Sequence, residues 1–183
     1  MTGAGIALGL GATWLVLDQN LGFGAITSGV WRAWPKAGGA EIDPYSRARL
    51  ARTGEIPLGL AEGLSLTAEA DEAGELLQPR CDYVLSGHMP PARYWTLTLA
   101  NPEGYLTGKP HARRSMTSAE ILRGADGDFD IQISARARAG NWLPIDSDGE
   151  FLLVLRLYDT AVSATASAID ASTLPRLKRG ACA

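Results

Sequence analysis

Nucleophilic catalysis needs a serine or cysteine with a base beside it and a third group to orient that base. The chain has two histidines, His88 and His111, to serve as that base. Neither sits in a known motif and no GxSxG elbow occurs, so both read as loop residues. A metal needs three or four converging ligands, and His88, His111 and Asp82 are too scattered to imply a site. Acids recur every second residue at Asp126, Asp128 and Asp130 and again at Asp146, Asp148 and Glu150. The first set resembles a calcium loop but lacks its glycine and its distal glutamate, so both sets read as wet turn and sheet faces. No catalytic set, metal or cofactor is expected.

A more informative group is Trp95, Asn141, Trp142, Arg156 and Tyr158. Arg156 interrupts FLLVLRLY (Phe151 to Tyr158), the most apolar run outside the first segment. A cation there must be paired, must reach water along its own stem, or must line a cavity. Beside aromatic rings it suits an anionic or sugar-like ligand through hydrogen bonding and stacking. The structural alternative pairs Arg156 with Asp82 or Asp130 and leaves Asn141 and Trp142 to fix the bend before Pro144.

These residues need strands to position them. From Leu64 the hydrophobic period is two: Leu64, Leu66 and Ala68 alternate with polar residues, and so do Cys81, Tyr83 and Leu85, then Trp95, Leu97 and Leu99, then Phe129, Ile131 and Ile133. Turns are marked by Asp71 to Gly74, by Asn101 to Gly104 and by Asp126–Gly127. Phe151 to Tyr158, apolar on both faces, reads as a central strand. Asp43–Pro44 reads as a helix start with an Asp cap, the helix Tyr45 to Thr53 ending at Gly54. A second short helix is expected over Ser118 to Arg123, capped by Thr117 or Ser118. Many short alternating strands argue for an antiparallel β-sandwich with one or two short helices.

The first segment bears on the compartment. Gly3 to Leu17 carries no charge, and its roughly fifteen residues fall short of the ~20 that span a bilayer comfortably. A cleaved signal peptide, a core helix and a membrane anchor compete. The anchor accommodates the glycines and the lack of an amphipathic face, with Trp14, Trp31 and Trp34 as interfacial residues. The positive-inside rule points the other way, since Arg32 and Lys36 follow the segment and nothing basic precedes it. The reading is an anchor or uncleaved signal segment over residues 1–30, a linker over 31–43 and one folded domain over 44–183, a size that allows one real core.

A net charge of −3 gives no general attraction for nucleic acid, and Arg176, Lys178 and Arg179 read as a solvated basic tail. Cys81 and Cys182 lack the spacing of a zinc or redox motif. They are either two thiols or, if the domain is exported, a disulfide closing the C-terminal tail onto the strand at Cys81.

Several strings together resemble the bacterial family called domain of unknown function 1214: DPYSRARLARTG (Asp43 to Gly54), CDYVLSG and PARYWTLTL within Cys81 to Leu99, and GNWLP with FLLVLRLY within Gly140 to Tyr158. They occur in order from about Trp31 to the C-terminus. The resemblance implies a jelly-roll-like sandwich and an N-terminal membrane segment, with a companion, domain of unknown function 1254, as partner. It implies no activity. Ala100–Asn101 and Asp159–Thr160 depart from the family's pattern at two turns.

The expectation is an inner-membrane, single-pass protein whose β-sandwich lies in the periplasm and binds a partner protein or small ligand without catalysis. Two other readings stand beside it. One is a hydrolase acting on envelope or imported small molecules through a carboxylate pair, with acids such as Asp82 or Asp130 in play; the other is a structural subunit completed by another chain.

Overall fold

The computed structural model describes residues 2–18, 24–59, 61–109, 111–161 and 169–183. Its helices are α1 (Thr2–Asp18) and α2 (Pro44–Thr53). The strands are β1 (Ile26–Ser28), β2 (Trp31–Ala33), β3 (Gly63–Ala68), β4 (Cys81–Gly87), β5 (Tyr94–Ala100), β6 (Ser115–Thr117), β7 (Phe129–Ser134), β8 (Asn141–Pro144), β9 (Leu152–Tyr158) and β10 (Arg176–Cys182). They form a six-stranded sheet in the order β1-β2-β3-β9-β5-β6 and a four-stranded sheet in the order β10-β4-β7-β8.

The period-two alternation explains why these segments are strands and which way each one faces. Leu64, Leu66 and Ala68 of β3, Trp95, Leu97 and Leu99 of β5, and Leu153, Leu155 and Leu157 of β9 point into the molecule. They meet Tyr83 and Leu85 of β4, Phe129, Ile131 and Ile133 of β7, and Leu177 of β10 in one continuous core. The protein is therefore mainly β, two sheets on one core with two α-helices among the described residues. One pair departs from the antiparallel expectation: β7 and β8 run parallel, Ile131 beside Asn141 and Ser134 beside Pro144.

α2 follows its sequence signals closely. The Asp43 carboxylate accepts from the Tyr45 and Ser46 amides at 3.0 Å each, and Gly54, at φ 66°, donates its amide to the Leu50 carbonyl. The contact with Ser46 chiefly holds the Asp43 carboxyl below its usual range. The helix expected over Ser118 to Arg123 is absent. Glu120 does reach back to the Thr117 amide at 3.2 Å, as in a capping box, but only one turn forms. Asn141 is the reason, since it takes both the amide and the carbonyl of Leu122 and draws that residue onto the edge of β8.

The apolar segment forms α1, seventeen residues or about 25 Å. Among the described residues no helix is long and apolar enough to cross a membrane. α1 is no core helix either, because Leu8, Leu10 and Trp14 are 75%, 68% and 63% exposed. Residues 26–28 and 31–33, read from sequence as the end of an anchor and the start of a linker, are instead β1 and β2 of the larger sheet. Trp31 is accordingly not interfacial: it is buried, and its indole N–H donates to the Pro175 carbonyl at 2.8 Å. Trp34 carries the Arg49 guanidinium over its ring at 4.2 Å.

Cys81 and Cys182 are joined by a disulfide that closes the end of β10 onto the start of β4. Beside it the turn from Asp71 to Gly74 is pinned by a buried carboxylate. Asp71 accepts from the Ala73 amide at 2.9 Å, the Glu75 amide at 3.1 Å and the Arg179 guanidinium at 2.6 Å. Burial works against its charge, yet these donors outweigh it and the carboxyl stays below its ordinary range.

Candidate functional site

β9 is hydrogen-bonded on both sides, to β3 and to β5. Its leucines at 153, 155 and 157 fill the core, so Leu152, Val154, Arg156 and Tyr158 are left for the outer face. The register places Ser65 and Thr96 on either side of Arg156, and Thr67 and Thr98 on either side of Val154. Gly63 allows β3 to lie against β9 at the Tyr158 end, since a Cβ there would come within 2.0 Å of the Leu157 carbonyl oxygen.

Two loops rise beside this face and make a groove of about 540 Å3. One wall is the segment after α2, with Glu55, Ile56 and Leu58; the other is the turn Pro102–Leu106 after β5. That second wall is set by Asn101, whose carboxamide oxygen accepts from the Tyr105 amide at 2.8 Å, and by Gly104 at φ 89°. Ile56, Tyr105 and Leu106 expose 86%, 61% and 58% of their surface at the rim.

Charge in the groove is mostly paired. Glu55 meets Arg49 at 3.6 Å, and Glu69 meets Arg32 at 3.9 Å. Arg156 differs, for among the described residues it has no ion pair and no side-chain hydrogen bond. The expected structural partners are engaged elsewhere. Asp82, on β4 of the other sheet, is held by Ser134 and Arg138, which keep its carboxyl below the usual range. Asp130 is exposed on β7 opposite Ser86.

Of the five residues singled out in the sequence, Arg156 and Tyr158 line the groove together. Trp95 faces inward against Phe129, at 6.0 Å between ring centres, and its buried indole N–H finds no acceptor among the described residues. Asn141 and Trp142 belong to the smaller sheet, where Asn141 also donates to the Asp130 carbonyl at 3.0 Å and Trp142 donates to the Ser134 carbonyl at 3.0 Å. Both are bound to backbone, within a strand that continues through Pro144 and not at a bend before it. Sequence reasoning missed Ile56, Leu58, Tyr105 and Leu106. The available signal was a set of large apolar residues inside loops that have no reason to carry them.

Other clusters offer less chemistry. His88 lies 2.5 Å from Asp128, both well exposed, and His111 is in the loop before β6. Among the described residues no three His, Cys, Asp or Glu side chains are placed to hold a metal. Asp82 neighbours Ser134 while Asp130 lies four residues further along β7, roughly 13 Å away. Two-carboxylate hydrolysis works at about 5–9.5 Å, so this pair does not suit it.

Among solved structures the chain is similar to the VPA0106 protein of Vibrio parahaemolyticus, at 20% identity and a TM-score of 0.58, over 75% of this chain and 35% of that one. It is also similar to an uncharacterized protein of Burkholderia cenocepacia, at 20% identity and a TM-score of 0.46, over 93% of this chain and 50% of that one. The chain thus spans about a third and a half of these longer proteins. No curated protein matches it. The family described as "Protein of unknown function (DUF1214)" matches residues 62–162, which runs from β3 through β9 and takes in the floor of the groove and its Pro102–Leu106 wall. With more than half of its length matched, the chain belongs to the DUF1214 family.

Proposed function

We propose that this chain is a non-catalytic binding domain whose site is the groove over β9. One observation carries the reading: Arg156 stands on the groove floor without an ion pair among the described residues, between walls of exposed apolar side chains. A half-buried cation with no partner of its own is costly to keep for stability alone, and a ligand or partner group can supply what is missing. The carboxylate spacing gives the hydrolase reading no support.

The domain works at the cell envelope, with its body in the periplasm and its two sheets wound in a jelly-roll-like manner. α1 supports the tether, since its described apolar side chains are exposed with no polar face to turn toward water. The Cys81–Cys182 bond supports the compartment, since such bonds persist where thiols are not kept reduced. A companion domain of unknown function 1254 is the protein partner in this reading.

Native mass spectrometry of the full chain extracted from membranes tests the site. Bound small molecules are expected on the wild type and not on Val154→Trp, which fills the groove floor. A wild type that carries nothing, or a correctly melting variant that carries the same load, overturns the reading.

A further inference from the structure

Accepting the groove as a binding site, we infer that its ligand is a single-chain amphiphilic carboxylate: one acid group held at Arg156 and an apolar body running toward Leu152. The polarity of the floor changes in one direction. Tyr158 and Arg156 form one end, Val154 and Leu152 the other, and alternate residues of one strand place Arg156 and Leu152 roughly 13 Å apart. At the Leu152 end Ala100 lies between Leu152 and Leu106, and Leu106 lines the groove there together with Pro102, Glu103 and the Arg32-paired Glu69. Ile56 and Leu58 continue this surface on the opposite wall.

Two competing ligand classes fit less well. A sugar acid could use Thr67, Glu69 and Glu103 as hydroxyl partners, but it would leave the apolar side chains of Ile56, Leu106, Val154 and Leu152 without apolar cover. A polyanion would meet Glu103 as well as the carboxylates of Glu55 and Glu69, whose own arginines are already engaged. A single negative group finds one uncommitted guanidinium, with the hydroxyls of Ser65 and Thr96 on the neighbouring strands. Arg156 then binds the carboxylate by paired, charge-assisted hydrogen bonds.

The test is equilibrium dialysis of labelled laurate, dodecanol and glucuronate against the full chain in phosphatidylcholine nanodiscs, with empty nanodiscs as the blank. Laurate is expected to bind the wild type, and Arg156→Met to weaken it roughly tenfold or more, as loss of a charge-assisted hydrogen bond implies. Thr96→Asp, which sets a carboxylate beside Arg156 in the sheet, is expected to weaken laurate similarly, so the result does not hang on the folding of one variant. Dodecanol binding as well as laurate, unchanged in both variants, overturns the acid group while leaving the groove occupied. Glucuronate binding in place of laurate overturns the apolar body. Retention of none of the three overturns the ligand class; small molecules lost from Val154→Trp in the mass spectra would then still uphold the groove, and their absence from the wild type would sink both.

Discussion

On the four-stranded side of the molecule Asp71, Glu72 and Asp82 each hold an arginine: Arg179, Arg176 and Arg138. A disulfide fastens the edge strand of the same sheet. On the outer face of the six-stranded sheet the central strand carries Arg156 with no such partner among the described residues, between loops that expose Ile56, Tyr105 and Leu106. Both regions contain strands of the same alternating kind, so the difference lies in what is done with charge. Paired carboxylates and a covalent link hold an edge in place. An unpaired cation beside uncovered apolar surface adds little to folding and leaves an unmet interaction for another molecule.

The comparison is open to attack on its stabilising side first. Cys81→Ser with Cys182→Ser removes a link across a sequence separation of 101 residues and should cost about 4 kcal/mol in urea unfolding. A loss below ~1 kcal/mol would mean that the smaller sheet's edge holds without its link. Asp71→Ala comes next, with an expected cost of about 3 kcal/mol, because it strips the turn of its acceptor and leaves Arg179 only partly exposed and unpaired. The acid dependence should follow. The carboxyls of Asp43, Asp71 and Asp82 are all held below their ordinary value in the folded chain. Their stabilisation is therefore complete above the unfolded value of about 3.9 and is lost as pH falls through the lower folded values. Thermal melts from pH 6 down to pH 2 should show a fall confined to the range below about pH 4, and Asp71→Ala should flatten part of it.

Expected effects on the other side are small. Arg156→Met should change stability by less than about 1 kcal/mol, since no native ion pair is lost and its stem is replaced by a chain of similar shape. A loss of 3 kcal/mol or more in denaturant would make Arg156 a structural residue and erase the contrast between the sheets. An effect of similar size is expected for Trp95→Phe. The cavity it leaves is offset by removal of an indole N–H that has no acceptor among the described residues, for a net change near ~1 kcal/mol in either direction.

Much of the fold was legible because two-residue periodicity is a local signal. β3, β4, β5 and β7 lie where the alternation placed them, β9 lies where the run apolar on both faces placed it, and Asp43, Pro44 and Gly54 set the bounds of α2. Thr117 and Glu120 show where local chemistry loses to a distant residue, as Asn141 captures Leu122 before a helix can continue. The site was half legible. Arg156 stood out because a cation interrupts an apolar run and must be paired, reach water or line a cavity, and Tyr158 as an aromatic residue beside it. Trp95 stood out as an aromatic residue, yet it turns inward with Leu97 and Leu99, as the alternation it shares with them implies. The groove walls depend on two loops more than forty residues apart meeting over one strand, a juxtaposition that no short window of sequence contains.

The place of β9 in the chain has a bearing on how the protein is made. Among the described residues it is the ninth of ten strands in order of synthesis, and it lies in the middle of its sheet between β3 and β5. Until residues 152–158 leave the ribosome, β3 and β5 have no strand to join them, and their leucine faces have no finished layer to cover. The Trp31–Pro175 bond is later still, linking positions 144 residues apart. Such non-local pairing slows folding and prolongs the life of open strand edges. A nascent chain of this kind cannot complete its larger sheet stepwise and needs protection from self-association until β9 has been added.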